Sequence, residues 1–294
     1  MSHASSSPST HAAAPLLFVS PTARYETRVL RLRALAEREP SLRGYLSFVA
    51  QIVEVQYLLS QHDIDTNAPT PTTTLHVDGV TPPLSMARLL QDRFWQGSLT
   101  TLLAALLPLV PPPISPVLER LRKLDVTQRT AAAHALFDND TSLTGNDGAP
   151  FVWAALSLNA AQRLARSKII VADAINTDRA LCPLCGNAPV AGVVRDGQRY
   201  LHCRLCESEW LSARAPCSHC GRNRNISTRS LEKQFPTIKV ESCGDCRHYL
   251  KIFTPIDDDF DAVADDLANM ALDARLEQEG YQRSSINPFL FSAS

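Results

Sequence analysis

The sequence predicts an α+β protein with an all-helical N-terminal domain, two small cysteine-rich metal modules and a C-terminal helix. Three observations lead to this prediction. Apolar residues recur at helical spacing through the first half of the chain. All the cysteines then fall into four CxxC pairs, and helical periodicity returns after the last pair. The 294 residues, 45% of them hydrophobic, suffice for more than one packed domain.

Residues 1–20 are predicted to be a disordered tail, because residues 1–15 are rich in Ser, Ala and His. It lacks the basic start and apolar core of a signal peptide, and it has no twin arginine. The most apolar run, residues 99–110, is shorter than the roughly 20 residues that a membrane-spanning helix requires. We therefore expect a cytoplasmic protein without membrane insertion, whose thiols remain reduced.

Residues 21–178 are predicted to form the helical domain. Apolar residues at helical spacing favour helices at seven places. These are residues 23–37, 40–57, 85–92, 98–107, 115–124, 127–137 and 151–175. The Thr- and Pro-rich stretch 65–83 and the polar stretch 138–148 are predicted to be loops, and three consecutive prolines separate two of the helices.

Two modules follow, over residues 179–213 and 214–256, in which CxxC pairs alternate with short runs suited to strands, such as 200–202 and 237–240. Residues 257–294 are predicted to be a C-terminal helix, over about 258–279, and an extended tail. Charge is uneven: the stretch 182–253 has 11 Lys/Arg against 6 Asp/Glu, whereas the stretch 254–294 has 2 against 9. The acidic C-terminal segment is therefore expected to dock on the basic modules.

The four CxxC pairs have separations typical of two tetrahedral thiolate sites. A CxxC turn directs two sulfurs to one point, and two such turns complete a cage. We predict that sequence neighbours combine, because each such unit closes a short loop at low entropic cost, although interleaved pairing is an alternative. The predicted metal ligands are Cys182, Cys185, Cys203 and Cys206 in the first site, and Cys217, Cys220, Cys243 and Cys246 in the second.

Two of the pairs, in CPLCG and CSHCG, resemble the knuckles of rubredoxin and zinc ribbons, so the modules are predicted to be rubredoxin-like or zinc-ribbon-like. The second and fourth pairs carry Glu207 and Arg247 where those knuckles have glycine. Four sulfurs suit zinc and iron equally. A closed site lacks the open position that metal catalysis needs, and the chain shows no phosphate loop, nucleophile elbow or HExxH motif. We predict a protein that is not an enzyme and has no catalytic residues.

Two alternatives remain open from the residues alone. Arginines cluster in the modules and could bind the phosphates of nucleic acid, although they could equally balance the negative thiolate sites. These arginines are Arg195, Arg199, Arg204, Arg214, Arg222, Arg224 and Arg229. CxxC is also the motif of dithiol redox proteins, but the expected βαβ setting is missing. The nearby His202, His219 and His248 are interpreted as solvent-exposed or supporting residues, since four cysteines leave no ligand position vacant.

The C-terminal half resembles the formate dehydrogenase accessory protein FdhE family. The resemblance rests on the two glycine knuckles, the run RYLHCRLCESEW at residues 199–210, and ESCGDC at residues 241–246. It continues through VADDLA at 263–268 and GYQRSSINPF at 280–289, and is specific over about residues 180–290. Ser285 departs from the glycine that the family usually has, which could alter the local turn.

The resemblance implies a helical N-terminal domain followed by two rubredoxin-like modules that hold iron, with zinc as the other candidate. It also implies a role in assembling respiratory formate dehydrogenase. In that role the protein would bind the catalytic subunit in the cytoplasm before export. Nucleic acid is not expected as a partner, because the thiolate sites balance much of the arginine charge. Only the eight cysteines are carried over from the family as site residues.

Overall fold

A computed structural model describes residues 14–61, 73–172, 179–213, 216–231 and 235–290. The predicted α+β class is confirmed. The helices are α1 (Pro21–Arg38), α2 (Arg43–Ser60), α3 (Met86–Gln91), α4 (Phe94–Leu106), α5 (Ser115–Lys123), α6 (Val126–Phe137), α7 (Ala149–Ala165), α8 (Ala262–Ala268) and α9 (Met270–Gln278). No helix among the described residues is long and apolar enough to cross a bilayer.

The strands form one large sheet and one two-stranded sheet. They are β1 (Leu16–Leu17), β2 (Thr74–Val77), β3 (Lys168–Val171), β4 (Pro189–Arg195), β5 (Gln198–Cys203), β6 (Glu209–Leu211), β7 (Ile226–Leu231), β8 (Phe235–Cys243), β9 (His248–Phe253) and β10 (Gln282–Arg283). The N-terminal tail predicted over residues 1–20 lies outside the described residues up to residue 13. Its end differs from the prediction, because β1 pairs with β6.

Helix α7 is the centre of the helical domain. Every residue from 150 to 162 is buried, and a helix covered on all sides belongs in the middle of a core. Helices α1, α2, α4 and α6 pack around it. Helix α1 begins where the Ser20 side chain caps the Ala23 amide and Pro21 occupies the first turn.

Two predicted elements of this domain differ from the structure. The helix predicted over residues 151–175 ends at Ala165, and residues 168–171 form strand β3. Its partner, β2, lies inside the stretch predicted to be a loop, whose residues 65–72 are outside the described part of the chain. Three β-branched residues in a row at 169–171 favour the extended backbone over another helical turn.

The two cysteine modules share a single sheet. Its strand order is β1-β6-β5-β4-β9-β8-β7, with β10 on the free part of β9. Strands β4 to β6 belong to the first module and β7 to β9 to the second. The modules join where β4 and β9 pair in parallel, with Gly192 opposite Ile252. A methyl group on Gly192 would collide with the Cδ1 atom of the buried Ile252 side chain, which would have to move, so the junction favours glycine.

The predicted C-terminal helix is two helices separated at Asn269. The Asn269 backbone leaves helical geometry (φ −110°, ψ 32°), and its side-chain amide donates to the Asp265 carbonyl at 2.7 Å. A side chain that bonds a nearby backbone group offers an alternative to the helical hydrogen bond, and this accounts for the break.

The C-terminal helices lie between the helical domain and the sheet. From the helical domain, Arg31 of α1 bonds both carboxylate oxygens of Asp265 in α8 at 2.9 and 2.7 Å. From the sheet, the buried Lys251 of β9 reaches Asp266 at 2.7 Å and Asp273 at 3.1 Å. The acidic segment therefore contacts the sheet as expected, and it also binds a cation of the helical domain that the charge count did not indicate.

The tail after α9 is fixed by side-chain contacts. Asn287 is fully buried and donates to the Val263 carbonyl at 3.1 Å and to Asp266 at 2.8 Å. The Ser285 hydroxyl donates to the Pro189 carbonyl. The φ of Ser285 is not positive, so serine in place of the usual family glycine causes no left-handed strain here.

Candidate metal centres

The first centre lies at the edge of the helical domain, and all four of its cysteines are buried. The turn before β4 supplies Cys182 and Cys185, and the end of β5 and the next turn supply Cys203 and Cys206. The sulfurs of Cys182 and Cys206 are 3.6 Å apart, and those of Cys185 and Cys203 are 3.4 Å apart. The structure thus brings together the first predicted set of four.

The second centre joins the turn before β7 to the turn between β8 and β9. It brings together Cys217, Cys220, Cys243 and Cys246, the second predicted set. The sulfurs of Cys217 and Cys246 are 3.6 Å apart, and those of Cys220 and Cys243 are 3.9 Å apart. Cys220 and Cys246 are only partly buried, so this centre is closer to solvent than the first.

The arrangement of the sulfurs fits a tetrahedral metal ion. Metal–sulfur bonds of about 2.3 Å put the sulfurs of a tetrahedron about 3.8 Å apart. The observed separations lie near that value, all four sulfurs of each set lie within 4.8 Å of one another, and the cysteines are free rather than disulfide-bonded. Each set could therefore hold one metal ion through four sulfurs, and the donor chemistry suits zinc or iron.

Four turns of one geometry build the two centres. After each CxxC pair the backbone turns left-handed, at Gly186 (φ 76°), Glu207 (φ 65°), Gly221 (φ 72°) and Arg247 (φ 60°). In three of them the residue after the pair donates its amide to the first cysteine carbonyl, for example Gly186 to Cys182 at 2.8 Å. Glu207 and Arg247 therefore adopt a backbone conformation that costs a side-chain-bearing residue about 1–2 kcal/mol.

Glu207 uses its unusual position to bind a buried arginine. Arg28 of α1 donates to both of its carboxylate oxygens at 2.8 and 2.7 Å, and Arg28 Nε reaches Asp261 at 2.8 Å. Burial alone would raise the pKa of Glu207, but the Arg28 charge outweighs it and holds that pKa well below its usual range. Asp261 also accepts the Val263 and Ala264 amides and so caps α8.

His202 adds a third buried group to this set of charges. It is fully buried, with Nε2 3.0 Å from Glu207 and Nδ1 3.1 Å from Glu209, and Glu209 in turn binds Arg195. An ionised carboxylate can only accept, so both ring nitrogens carry protons and the ring is an imidazolium. Burial lowers the pKa of His202, but the two glutamates more than compensate and raise it above its ordinary value.

The structure agrees with the interpretation of the three histidines as solvent-exposed or supporting residues. His202 supports the centre through Glu207, the residue that follows Cys206, and is not exposed. His219 and His248 stack beside the second centre with ring centroids 3.5 Å apart. Among the described residues, the groups able to hold a metal contain only cysteines.

Sequence reasoning did not identify Arg28 and Asp261 as partners of the first centre. A signal was present, because Arg24, Arg28 and Arg31 recur at helical spacing on the buried face of α1, where charged residues are rarely placed without a partner. The partner, however, is 179 residues away in sequence for Arg28 and Glu207, and no local pattern connects the two.

The arginines considered for nucleic-acid binding are largely paired within the chain. Ion pairs join Arg195 to Glu209, Arg199 to Glu241, Arg222 to Asp245 and Arg229 to Glu279. Arg204 is buried, bonds the Asn187 and Asn139 side chains, and lies over the Trp153 ring at 4.7 Å from its centroid. Arg214 lies outside the described residues. Five of the seven arginines therefore have partners within the described part of the chain.

Fold and site together define a class: proteins with a helical domain joined to a sheet that carries two four-cysteine clusters able to bind metal. Comparisons with known proteins identify the family within this class. The family models described as FdhE N-terminal, FdhE central domain and FdhE C-terminal domain match residues 13–169, 181–214 and 215–290. The chain belongs to the FdhE family.

Individual relatives are similar in sequence to this chain over nearly its whole length. Protein FdhE of Salmonella arizonae is 44% identical over 283 residues, which cover 94% of this chain and 91% of that protein. The FdhE homolog of Citrobacter koseri is 42% identical with the same coverage. The crystal structure of the FdhE protein from Pseudomonas aeruginosa has 32% sequence identity and a TM-score of 0.78, and covers 96% of this chain and 100% of that chain.

Proposed function

We propose that this protein is a maturation factor for respiratory formate dehydrogenase, which binds the catalytic subunit in the cytoplasm before export. The observation that carries the proposal is membership of the FdhE family through the helical domain and both cysteine domains. All eight cysteines that carried the sequence resemblance lie in the two clusters. The role is that of a binding protein, because a site filled by four sulfurs leaves the metal no position for a substrate.

We propose iron as the metal of both clusters, held by Cys182, Cys185, Cys203 and Cys206 in one and by Cys217, Cys220, Cys243 and Cys246 in the other. The resemblance supports iron, and the sulfur geometry is compatible with it. Iron held by four sulfurs exchanges one electron, whereas zinc does not. The two partly buried cysteines of the second centre favour that centre for electron exchange with a partner.

The proposed partner is tested by affinity capture. The tagged protein is captured from nuclease-treated native lysate of cells that make formate dehydrogenase, and the co-purifying proteins are identified. We expect the formate dehydrogenase catalytic subunit among them. A matched capture with Cys217→Ser asks whether the second centre is needed for the interaction. Recovery of ribosomal or transcription components alone would contradict the proposal and favour the nucleic-acid alternative.

A further inference from the structure

The hydroxyl of Ser208 contacts two sulfurs of the first centre. Its Oγ lies 3.1 Å from the Cys206 sulfur and 3.4 Å from the Cys182 sulfur. Cysteines bind metal as thiolates, which carry no proton, so in a loaded centre the hydroxyl is the donor and shares its proton between the two sulfurs. Ser208 is fully buried, and a hydrogen bond in such surroundings is stronger than one in water.

The backbone of the second CxxC turn holds Ser208 at this point. Glu207, immediately before it, has the left-handed conformation that follows each CxxC pair. The Ser208 carbonyl accepts the Cys203 amide at 2.9 Å and so closes the turn that carries Cys203 and Cys206. The hydroxyl is therefore fixed by the same turn that positions two of the ligands.

The second centre has a different side chain at the corresponding position. There His248 is the second residue after Cys246, and its Nδ1 lies 2.7 Å from the Cys246 carbonyl. Each centre has a backbone amide that donates to a cysteine sulfur, at 3.4 Å in the first and 3.5 Å in the second. Apart from the cysteines themselves, Ser208 is the one side chain in the described part of the chain that bonds a cysteine sulfur. The hydroxyl thus distinguishes the two centres.

The centres also differ in their access to solvent. All four cysteines of the first centre are buried, whereas Cys220 and Cys246 of the second are only partly buried. The shell around a metal site controls what reaches the metal from solution. A competing ligand can therefore approach the second centre more easily than the first.

We propose that Ser208 is a positioning residue that makes the first centre retain its metal, while the second centre is the one that exchanges its metal. A hydrogen bond to a charged group contributes about 1.5–3 kcal/mol, more than a bond to a neutral group. The loaded centre has thiolates and the empty centre has neutral thiols. The Ser208 hydroxyl therefore stabilises the loaded state more than the empty one, and this difference raises the affinity of the first centre for metal.

Competition with a chelator tests the proposal on the metal-loaded full chain. The protein, with its metal content measured first, is held in graded concentrations of EDTA until metal release is constant. A short pulse of iodoacetamide then labels the cysteines that have lost metal, and mass spectrometry of peptides separates the two sets of four. We expect the second set to be labelled at lower EDTA concentrations than the first.

Ser208→Ala should lower the EDTA concentration that releases the first set by about tenfold, and should leave the second set unchanged. The size follows from the effect of partners that bond metal ligands, whose loss changes metal affinity by about 10–100-fold.

Two control variants lack a hydroxyl elsewhere. Ser218→Ala removes a buried hydroxyl from the CxxC turn of the second centre, where no contact of that hydroxyl with a sulfur is found among the described residues, and should shift neither set. Tyr249→Phe removes a buried hydroxyl that donates to the Asp273 carboxylate at 2.7 Å. It should lower the melting temperature and leave the labelling of the first set unchanged, so it separates lost stability from a lost bond to sulfur.

Three results would overturn the proposal: labelling of both sets at the same EDTA concentration, wild-type labelling of Ser208→Ala, or equal shifts of the first set in Ser208→Ala and Tyr249→Phe. Fewer than two metal ions per wild-type chain before EDTA would overturn both this proposal and the metal sites. The proposal requires no particular metal and no formate dehydrogenase partner, so its failure leaves the capture experiment unaffected.

Discussion

Glu207 shows at the scale of one residue why a centre can depart from the usual CxxCG knuckle. The left-handed backbone there favours glycine, yet a glutamate side chain at that point reaches Arg28 and His202 together. The ion pair is buried, so removing one partner leaves the other charge in the interior without compensation. The strain of one backbone position is thus offset by the fixing of the helical domain to the first centre.

Glu207→Gly should destabilise the protein by about 3–5 kcal/mol, although it relieves the backbone strain. Arg247→Gly makes the same backbone change at an exposed residue that stacks on the Tyr281 ring at 3.9 Å from its centroid. That control also loses the hydrogen bonds from Arg247 to the Glu279 and Gly280 carbonyls. It should change stability by less than about 1 kcal/mol, since relieved strain offsets the loss of these exposed contacts. Urea unfolding measures both, and equal effects would contradict this role of Glu207.

The stability contributed by His202 should depend on pH. The pKa of His202 is raised in the folded state, so its protonated bridge between the two glutamates is complete below the unfolded pKa of about 6.5. The contribution is lost as pH rises through the folded-state pKa. The difference in unfolding free energy between wild type and His202→Gln should therefore shrink on the alkaline side of about pH 6.5. A difference that stays constant there would show that the ring is neutral.

At the scale of residues, the sequence predicts the metal-ligand cysteines but not the distant residues that bind their neighbours. The CxxC spacing identifies the eight cysteines and their grouping because each turn is local. The absence of glycine after Cys206 marked Glu207 as unusual. Its engagement with Arg28 depends on how α1 packs against the sheet, which no neighbouring sequence encodes.

At the scale of elements, helices were easier to predict than short strands. Long helices such as α1 and α2 carry an apolar pattern over several turns, and their periodicity identifies them. Strands β2 and β3 have only four residues each and pair across 94 residues of chain, Thr74 opposite Lys168. A run that short cannot be separated from a loop or a helix end without its partner.

The junction of the two modules gives the prediction that belongs to this scale. Gly192→Ala places a methyl group against Ile252 in the β4–β9 pair and should destabilise the protein by about 1–3 kcal/mol. Gly44→Ala in α2 meets no atom within 4 Å and should instead stabilise it by about 0.5–1 kcal/mol. Thermal unfolding of both variants measures the contrast. Stabilisation by both would show that the sheet opens easily at the junction.

At the scale of the whole molecule, a single sheet joins the two modules that the sequence predicts to be separate. Separate metal modules were predicted because each CxxC…CxxC stretch can close its own site. The parallel pairing of β4 with β9 lies between segments some 60 residues apart, and its only local sign is a glycine in a strand. The C-terminal helices then tie this sheet to α1 through Arg31 and Asp265.

The two centres should differ in what their loss does to the molecule. Cys182→Ala opens the fully buried first centre and should destabilise both the sheet and its contact with the helical domain, since a small metal site contributes directly to folding. Cys217→Ala opens the more exposed second centre and should lower thermal stability less. Unchanged melting temperatures in both variants would contradict a structural role for the metals.

Whether the eight cysteines hold two metal ions is tested most directly by the metal content and the visible spectrum of the protein after anaerobic purification. The wild type should contain two metal ions per chain, and Cys182→Ala and Cys217→Ala should each contain one. Iron should give a coloured protein that bleaches on reduction, and a colourless protein with two zinc ions would retain the centres while removing their redox role. Less than one metal ion per wild-type chain, or full content in both variants, would contradict the account.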